Sequence, residues 1–326
     1  MKLFRLLAAR IVAGLLTLIG VSFLIFLSVT FLPGDFASVI LGQSATLETV
    51  AAFRKALGTD LPFWTRYFTW LGDALTGDFG YSFSSLTSLS ANAGQTVAAQ
   101  IGDRLFNTLF LAGLTALFAV PAAIALGILA VAHQNKALDR IITTTSIGCI
   151  SLPEFLVAYL LVVFLAVKFP LFYALSYVTP DMPLSDRLVR CVLPAFTMFI
   201  PVVAHMARMT RACLVPIMAS PFIETAKLKG VPKWKTILRH ALPNAWAPIA
   251  AVVALNLAYL VVGVVVVEFV FAYPGIGQLM VDSVSKRDIP VVLACATVFS
   301  IAYVGLNTLA DVVGILANPR IRYPSK

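Results

Sequence analysis

Charge is scarce in this 326-residue chain: only 12% of it is Asp, Glu, Lys or Arg, against 60% hydrophobic residues. With a mean hydropathy of +0.93 there is too little polar side chain to cover a soluble globule, which makes it an integral membrane protein. Cysteine is equally sparse. Cys149, Cys191, Cys213 and Cys295 form no C-x-x-C pair, so neither a zinc site nor a disulfide framework is expected, and they read as small core residues. Of the three histidines, His133, His205 and His240, none belongs to an H-E-x-x-H, and no G-x-S-x-G occurs; an intramembrane hydrolase lacks its usual parts. A G-x-x-x-x-G-K-[ST] is missing too, so the chain has no loop to cradle nucleotide phosphates. The net charge of +9 comes from bases lying between apolar runs. That pattern fits loops facing the cytoplasm and anionic lipid, and not a nucleic-acid surface.

What is abundant is long apolar sequence. Six stretches, at roughly 11–32, 105–132, 141–167, 192–212, 245–270 and 291–316, reach the 20 or so residues a helix needs to cross hydrocarbon. The expected fold is all-α with six transmembrane helices in a single transmembrane domain over 1–326. The fourth span is interrupted by Pro194, Pro201, His205 and Arg208, which neighbouring helices can accommodate. The opening "MKLFRLLAARIVAGLL" is too apolar over too long a run for a signal-peptide core and shows no A-x-A-like cleavage site, so it is expected to stay as a helix. With the N-terminus inside, fifteen of the 24 Lys and Arg fall on the inner side, which places both termini in the cytoplasm. The segment at about 33–104 is then outside, where "TLETVAAFRKALG" and "PFWTRYFTWLGDAL" read as short amphipathic helices with an aromatic interface.

Between spans four and five, over about 216–243, lies a polar segment. "ETAKLKGVPKWKTILRHALPNA" (Glu224 to Ala245) carries one acid against five Lys and Arg. Ser220 can cap a helix that opens on Pro221, with Ile223, Ala226 and Leu228 as its apolar face and Gly230 in the left-handed conformation that ends it. A second helix is expected from near Pro232 to Leu242, stopped by Pro243. Two starts and two stops suit a rigid knob that docks into a partner's cleft; a solvated positive loop is the plainer alternative.

The spacing Glu224, Thr225, Ala226, three residues, Gly230, eleven residues, Leu242, Pro243 resembles the E-A-A-x3-G-x11-L-P coupling loop of permease subunits in binding-protein-dependent ABC importers. "LPGD" (32–35), "GDFGYS" (77–82), "LDRII" (138–142), "ETAKLKG", "RHALPNA", "VVVEFVFAYPGIGQLMVDSVSKRDIPVV" and "NPRIR" extend the resemblance from end to end, to the first permease of the dipeptide/oligopeptide/nickel branch. Thr225 stands for the usual second Ala, His240 for the general motif's Ile, and Asn318 for a common Asp. The resemblance implies a bacterial or archaeal cytoplasmic-membrane protein that is not itself an enzyme and binds no cofactor. It implies a second related permease, two ATPase subunits holding ATP and Mg, and an extracytoplasmic solute-binding protein. Glu224, Thr225, Ala226, Gly230, Leu242 and Pro243 would couple to the ATPase. Peptide is the expected solute, with nickel, opine and oligosaccharide as alternatives. A secondary transporter fits poorly, since it would more often show ten or more spans with internal repeats.

Ionisable residues in apolar runs mark pathways or structural pairs. Glu154, in "SLPEFLVAYLL", falls near the middle of span three, and could meet a cationic group of the solute or pair with a base or backbone donor. Glu268 near the outer end of span five and Asp311 in span six read as structural or gate residues. His205, without a second ligand nearby in sequence, reads as a hydrogen-bonded helix residue and not a metal ligand. The outer turn from Tyr273 through Pro274 and Gly275 to Gly277 is either a re-entering gate or an ordinary loop, with Pro and two Gly to allow a tight bend.

Overall fold

The computed structural model of the chain describes residues 2–31, 46–56, 58, 60–84 and 95–317. "LPGD", "NPRIR" with Asn318, and parts of the 33–104 segment lie outside the described residues. The helices are α1 (Lys2–Thr30), α2 (Leu47–Ala56), α3 (Phe63–Thr76), α4 (Val97–Ala132), α5 (Ala137–Ser151), α6 (Glu154–Val162, prolonged by a wider π turn over Val163–Lys168), α7 (Leu184–Met218), α8 (Pro221–Leu228), α9 (Lys233–Thr236), α10 (Leu242–Val270), α11 (Ile276–Lys286) and α12 (Ile289–Ala317). The described residues hold no strand, only an isolated bridge between Tyr81 and Thr96.

Among the described residues α1, α4, α7, α10 and α12 contain stretches long and apolar enough to cross a membrane. A helix closes its backbone hydrogen bonds within itself, as hydrocarbon demands, and this is a multi-pass membrane protein. The expected third span is not one straight helix. α5 and α6 meet at 97°, because Pro153 opens α6 with extended backbone (φ −60°, ψ 138°) and holds Leu152 before it at φ −85°, ψ 129°, the region that a residue preceding proline prefers. Taken as one broken span, the pair makes six. Glu154 therefore opens a helix at a break instead of sitting mid-span. α7 is longer than expected and unbroken, with Pro194, Pro201 and Pro216 inside it.

Of the described residues, 2–15, 108–273 and 302–317 form one compact unit. At one end of it Ile128 and Val131 of α4, Leu214 and Met218 of α7, Ile223 of α8, Ile237, and Ala245 and Ile249 of α10 make a continuous buried cluster. α4 and α7 approach at Gly127, where a Cβ would lie 2.6 Å from Thr210 Cβ and 3.0 Å from Ala207 O. Arg211 of α7 reaches Asp139 of α5 with Nε to Oδ1 at 2.7 Å and Nη2 to Oδ2 at 2.9 Å.

The described residues between 16 and 107, with 274–301, form the second unit. Here α3 lays Phe63 and Tyr67 edge-on against Phe23 and Phe26 of α1, with ring centres 5.5–6.0 Å apart, and Tyr67 OH shares a 3.1 Å hydrogen bond with Ser22 Oγ. Such offset and edge-on pairs add to plain burial. The expected amphipathic pair in the 33–104 segment is present as α2 and α3. α11 was not foreseen; it ends on Arg287 with φ +57°. The next residue, Asp288, accepts bonds from Phe83 N (3.1 Å), Ser84 N (3.0 Å), Ser84 Oγ (2.6 Å) and Ser82 Oγ (2.5 Å). One carboxylate thereby fastens the end of "GDFGYS".

Candidate functional site

The polar segment folds as a knob on the first unit. Ser220 has extended backbone and Pro221 takes the first helical position of α8. Its side chain does not cap the helix, since Ser220 Oγ turns back to donate to Ile217 O. Ile223 is fully buried and Ala226 half-buried. Leu228, expected on the same apolar face, is instead 84% exposed: at five residues from Ile223 it lies well round the helix from that face. Gly230 takes φ +76°. Its N–H donates to Lys227 O at 2.9 Å and that of Val231 to Ala226 O at 3.1 Å, the 5→2 and 6→1 pair of a Schellman ending, which requires a left-handed residue at this place.

The second helix departs from expectation. α9 begins after Pro232, widens into a π turn over Ile237–Ala241 and runs straight into α10, so Pro243 does not stop it. A proline in the first turn of a helix gives up an N–H of little use there, and the wider turn before it leaves room for its ring. Asn244 Nδ2 donates to His240 O at 2.7 Å. Leu242 packs against the cluster that buries Ile223 and Ile237. Trp234, half-exposed, sets its ring edge-on to His133, centres 6.5 Å apart. What remains outward is Phe222, Glu224, Thr225, Leu228 and the lysines: an exposed charged and apolar crown on a buried foot.

A second constellation lies in the same unit. A cavity of 300 Å³ is lined by Ile150 and Leu152 at the end of α5, Glu154 opening α6, Pro201, Val202 and His205 of α7, and Leu255, Asn256 and Tyr259 of α10. Tyr259 OH donates to Glu154 Oε1 at 2.6 Å. Asn256 Nδ2 donates to Val252 O at 2.8 Å, so its Oδ1, 3.2 Å from His205 Nδ1, is the acceptor. His205 Nδ1 therefore carries a proton. Among the described residues no group of three His, Cys, Asp or Glu could hold a metal ion. The bend at Pro153 brings Glu154 to this cavity, a placement no sequence spacing announces. Asn256 and Tyr259, three apart on an apolar helix, were the available signal for the opposite wall and were missed.

The remaining candidates separate. Glu268 is wholly buried and accepts from Thr108 Oγ1 at 2.6 Å, tying α10 to α4. Tyr273, also wholly buried, bonds its backbone N–H to Glu268 O at 2.9 Å and pairs its hydroxyl with the Cys191 thiol; burial and then that neighbour push the phenol above its ordinary range. The left-handed residue of this turn is Ala272, at φ +50°, and neither of the glycines expected to allow it: Gly275 is extended and opens α11, and Gly277 is buried inside that helix. In the second unit Pro274 O accepts from Asn107 Nδ2 at 2.9 Å and Gly275 O faces Arg104 Nη1 at 3.5 Å. Asp311 pairs with Arg10 at 3.0 Å, both half-exposed, beside the place where Gly14 comes so close to Thr308 that a Cβ would stand 2.8 Å from its Oγ1.

Comparison with known proteins gives one answer over nearly the whole chain. Residues 123–323 match the family described as binding-protein-dependent transport system inner membrane component, and residues 3–112 match its N-terminal companion. A probable peptide ABC transporter permease of Sinorhizobium fredii is 33% identical over 314 residues, 96% of this chain and 98% of that protein. The glutathione transport system permease GsiC of Escherichia coli is 34% identical over 314 residues, 96% of this chain and 97% of that one. With matched regions that take in both the knob and the cavity, the chain belongs to the family of inner-membrane permease components of binding-protein-dependent ABC transport systems.

Proposed function

We propose that this permease supplies half of the solute pathway of a peptide importer, with both termini and the α8–α9 knob in the cytoplasm of a bacterial or archaeal cell. Its partners in this reading are a second related permease, two ATPase subunits that bind ATP and Mg, and an extracytoplasmic solute-binding protein; hydrolysis belongs to the ATPases. The names of the relatives, one a probable peptide permease and one a glutathione permease, support a small peptide as solute. The observation that carries the coupling role is the joint of α8 and α9. Ile223 and Ile237 are fully buried against the ends of α4, α7 and α10, while Glu224 and Leu228 stand exposed above them. A foot packed at the density of a protein interior cannot give way on its own, so a push on the crown is transmitted to three long helices and biases one arrangement of the pathway over another. Glu268, Tyr273, Pro274, Gly275 and Asp311 act in this reading as ties and turn residues near the ends of spans, the Tyr273 turn serving as a gate.

The test is co-purification and uptake in the assembled transporter. Glu224→Lys reverses a charge at the docking surface and should reduce ATPase capture or coupled dipeptide uptake by about tenfold or more, while the chain still inserts in the membrane. Full capture with full coupled uptake would reduce the knob to a connector.

A further inference from the structure

The cavity between α5, α6, α7 and α10 has walls that are mostly apolar, with a few polar side chains among them. Ile150, Leu152, Val202 and Leu255 shape it, and Glu154, His205, Asn256 and Tyr259 supply the chemistry. That is the composition of a small-ligand site: apolar lining and a few convergent polar groups.

The polar atoms are not interchangeable. Tyr259 OH is committed to Glu154 Oε1, and Asn256 is committed at both ends, Nδ2 to Val252 O and Oδ1 to His205 Nδ1. Two atoms are left over. Glu154 Oε2 has no partner among the described residues and no Lys or Arg within ion-pair distance. His205 Nε2 has none either, and with the proton on Nδ1 it presents a lone pair in the neutral ring. Both are acceptors, and one belongs to a carboxylate. A carboxylate at the break between two apolar helices, without a cationic partner from the protein, is costly in a membrane and asks for one from elsewhere. An ammonium, with three N–H donors and a positive charge, is the complement of two acceptors that line one cavity; a carboxylate or phosphate of a solute would face the Glu154 carboxylate.

Resting on the importer reading, we propose that Glu154 and His205 form a subsite for the cationic amino end of the transported solute, with Tyr259 and Asn256 as the residues that position them. The 300 Å³ of space accommodates the end of a small peptide. Specificity would then be read inside this chain as well as by the binding protein that delivers the solute.

Binding can be followed without transport. In the full chain in nanodiscs, carbon-13-labelled histidine yields few signals, three histidines being present, and His205→Gln identifies the relevant one. Alanyl-alanine amide should shift the His205 signal saturably, and N-acetyl-alanyl-alanine amide, which lacks the charge, should bind about tenfold more weakly or worse. Glu154→Gln keeps an acceptor for Tyr259 and so preserves the fold, yet should weaken the free-amine peptide by a similar factor. Equal binding of the two peptides, indifference to Glu154→Gln, or no response at His205 overturns the subsite. If the assembled complex shows no ATP-driven peptide uptake while His205 still discriminates the free amine, the importer reading fails and the subsite stands.

Discussion

Arg211 holds Asp139 with two parallel bonds, Nε to Oδ1 at 2.7 Å and Nη2 to Oδ2 at 2.9 Å, and so ties α7 to the first turn of α5. Asp139 is almost fully buried and accepts a third bond from Asn135 N at 2.9 Å. The geometry is the bidentate fork that arginine makes and lysine cannot. Because removal of one partner leaves the carboxylate of a part-buried pair without its charge-assisted bonds, Arg211→Leu should destabilise the protein by about 1–3 kcal/mol. Asp139→Leu combined with Arg211→Leu should recover part of that loss. Thermal unfolding of the purified protein in nanodiscs measures both; equal stability of the single and double variants would show that the pair carries no such coupling.

The turn at Gly230 is constrained by backbone alone. A Cβ placed there meets nothing within 4 Å, but φ is +76°. The cost of substitution should follow conformational preference and not size. Gly230→Asn should be mild, Gly230→Ala should cost about 1 kcal/mol, and Gly230→Val more, its branched side chain tolerating the left-handed region least. ATPase capture by the three variants should fall in that order. An order that tracked side-chain volume, with Asn worse than Ala, would point to a steric contact with the partner.

At Gly127 the reverse holds, and space decides. Gly127→Ala places a Cβ 2.6 Å from Thr210 Cβ and 2.7 Å from its Cγ2, so α4 and α7 must separate, with an overpacking cost of roughly 1–3 kcal/mol. Thr210→Ala removes only the Cγ2 clash, because its own Cβ remains; Thr210→Gly should relieve more, the 3.0 Å contact with Ala207 O persisting. Stability of the three double and single variants in the same unfolding assay checks the order. Rescue by Thr210→Ala equal to that by Thr210→Gly would place the clash elsewhere.

Much of this protein was legible because hydrocarbon leaves few choices. Apolar runs of membrane length had to be helices, and α1, α4, α7, α10 and α12 contain five of the six such runs. The Gly230 turn was legible for a local reason: glycine after a short helix and before Pro232 matches a left-handed ending. Local signals also misled. Ser220 had a capping sequence and used its hydroxyl elsewhere, and Pro243 looked like a stop although a π turn ahead of it carried the helix on. Leu228 has the composition of a core residue, yet the turn of α8 points it outward.

The sequence alone determined the class, the all-α architecture, the family and the knob's turn, since each depends on composition or on neighbours within a few residues. Only the tertiary structure decided what meets across helices. The bend at Pro153 brings Glu154 to Tyr259, 105 positions away; α7 sets His205 against Asn256, 51 positions on; Asp288 closes on Ser84 from 204 positions off. Helical periodicity says which residues share a face and nothing about which face it will meet. That pairing is set by the close packing of whole helices, where the absence of one Cβ, as at Gly127, decides how near two of them come.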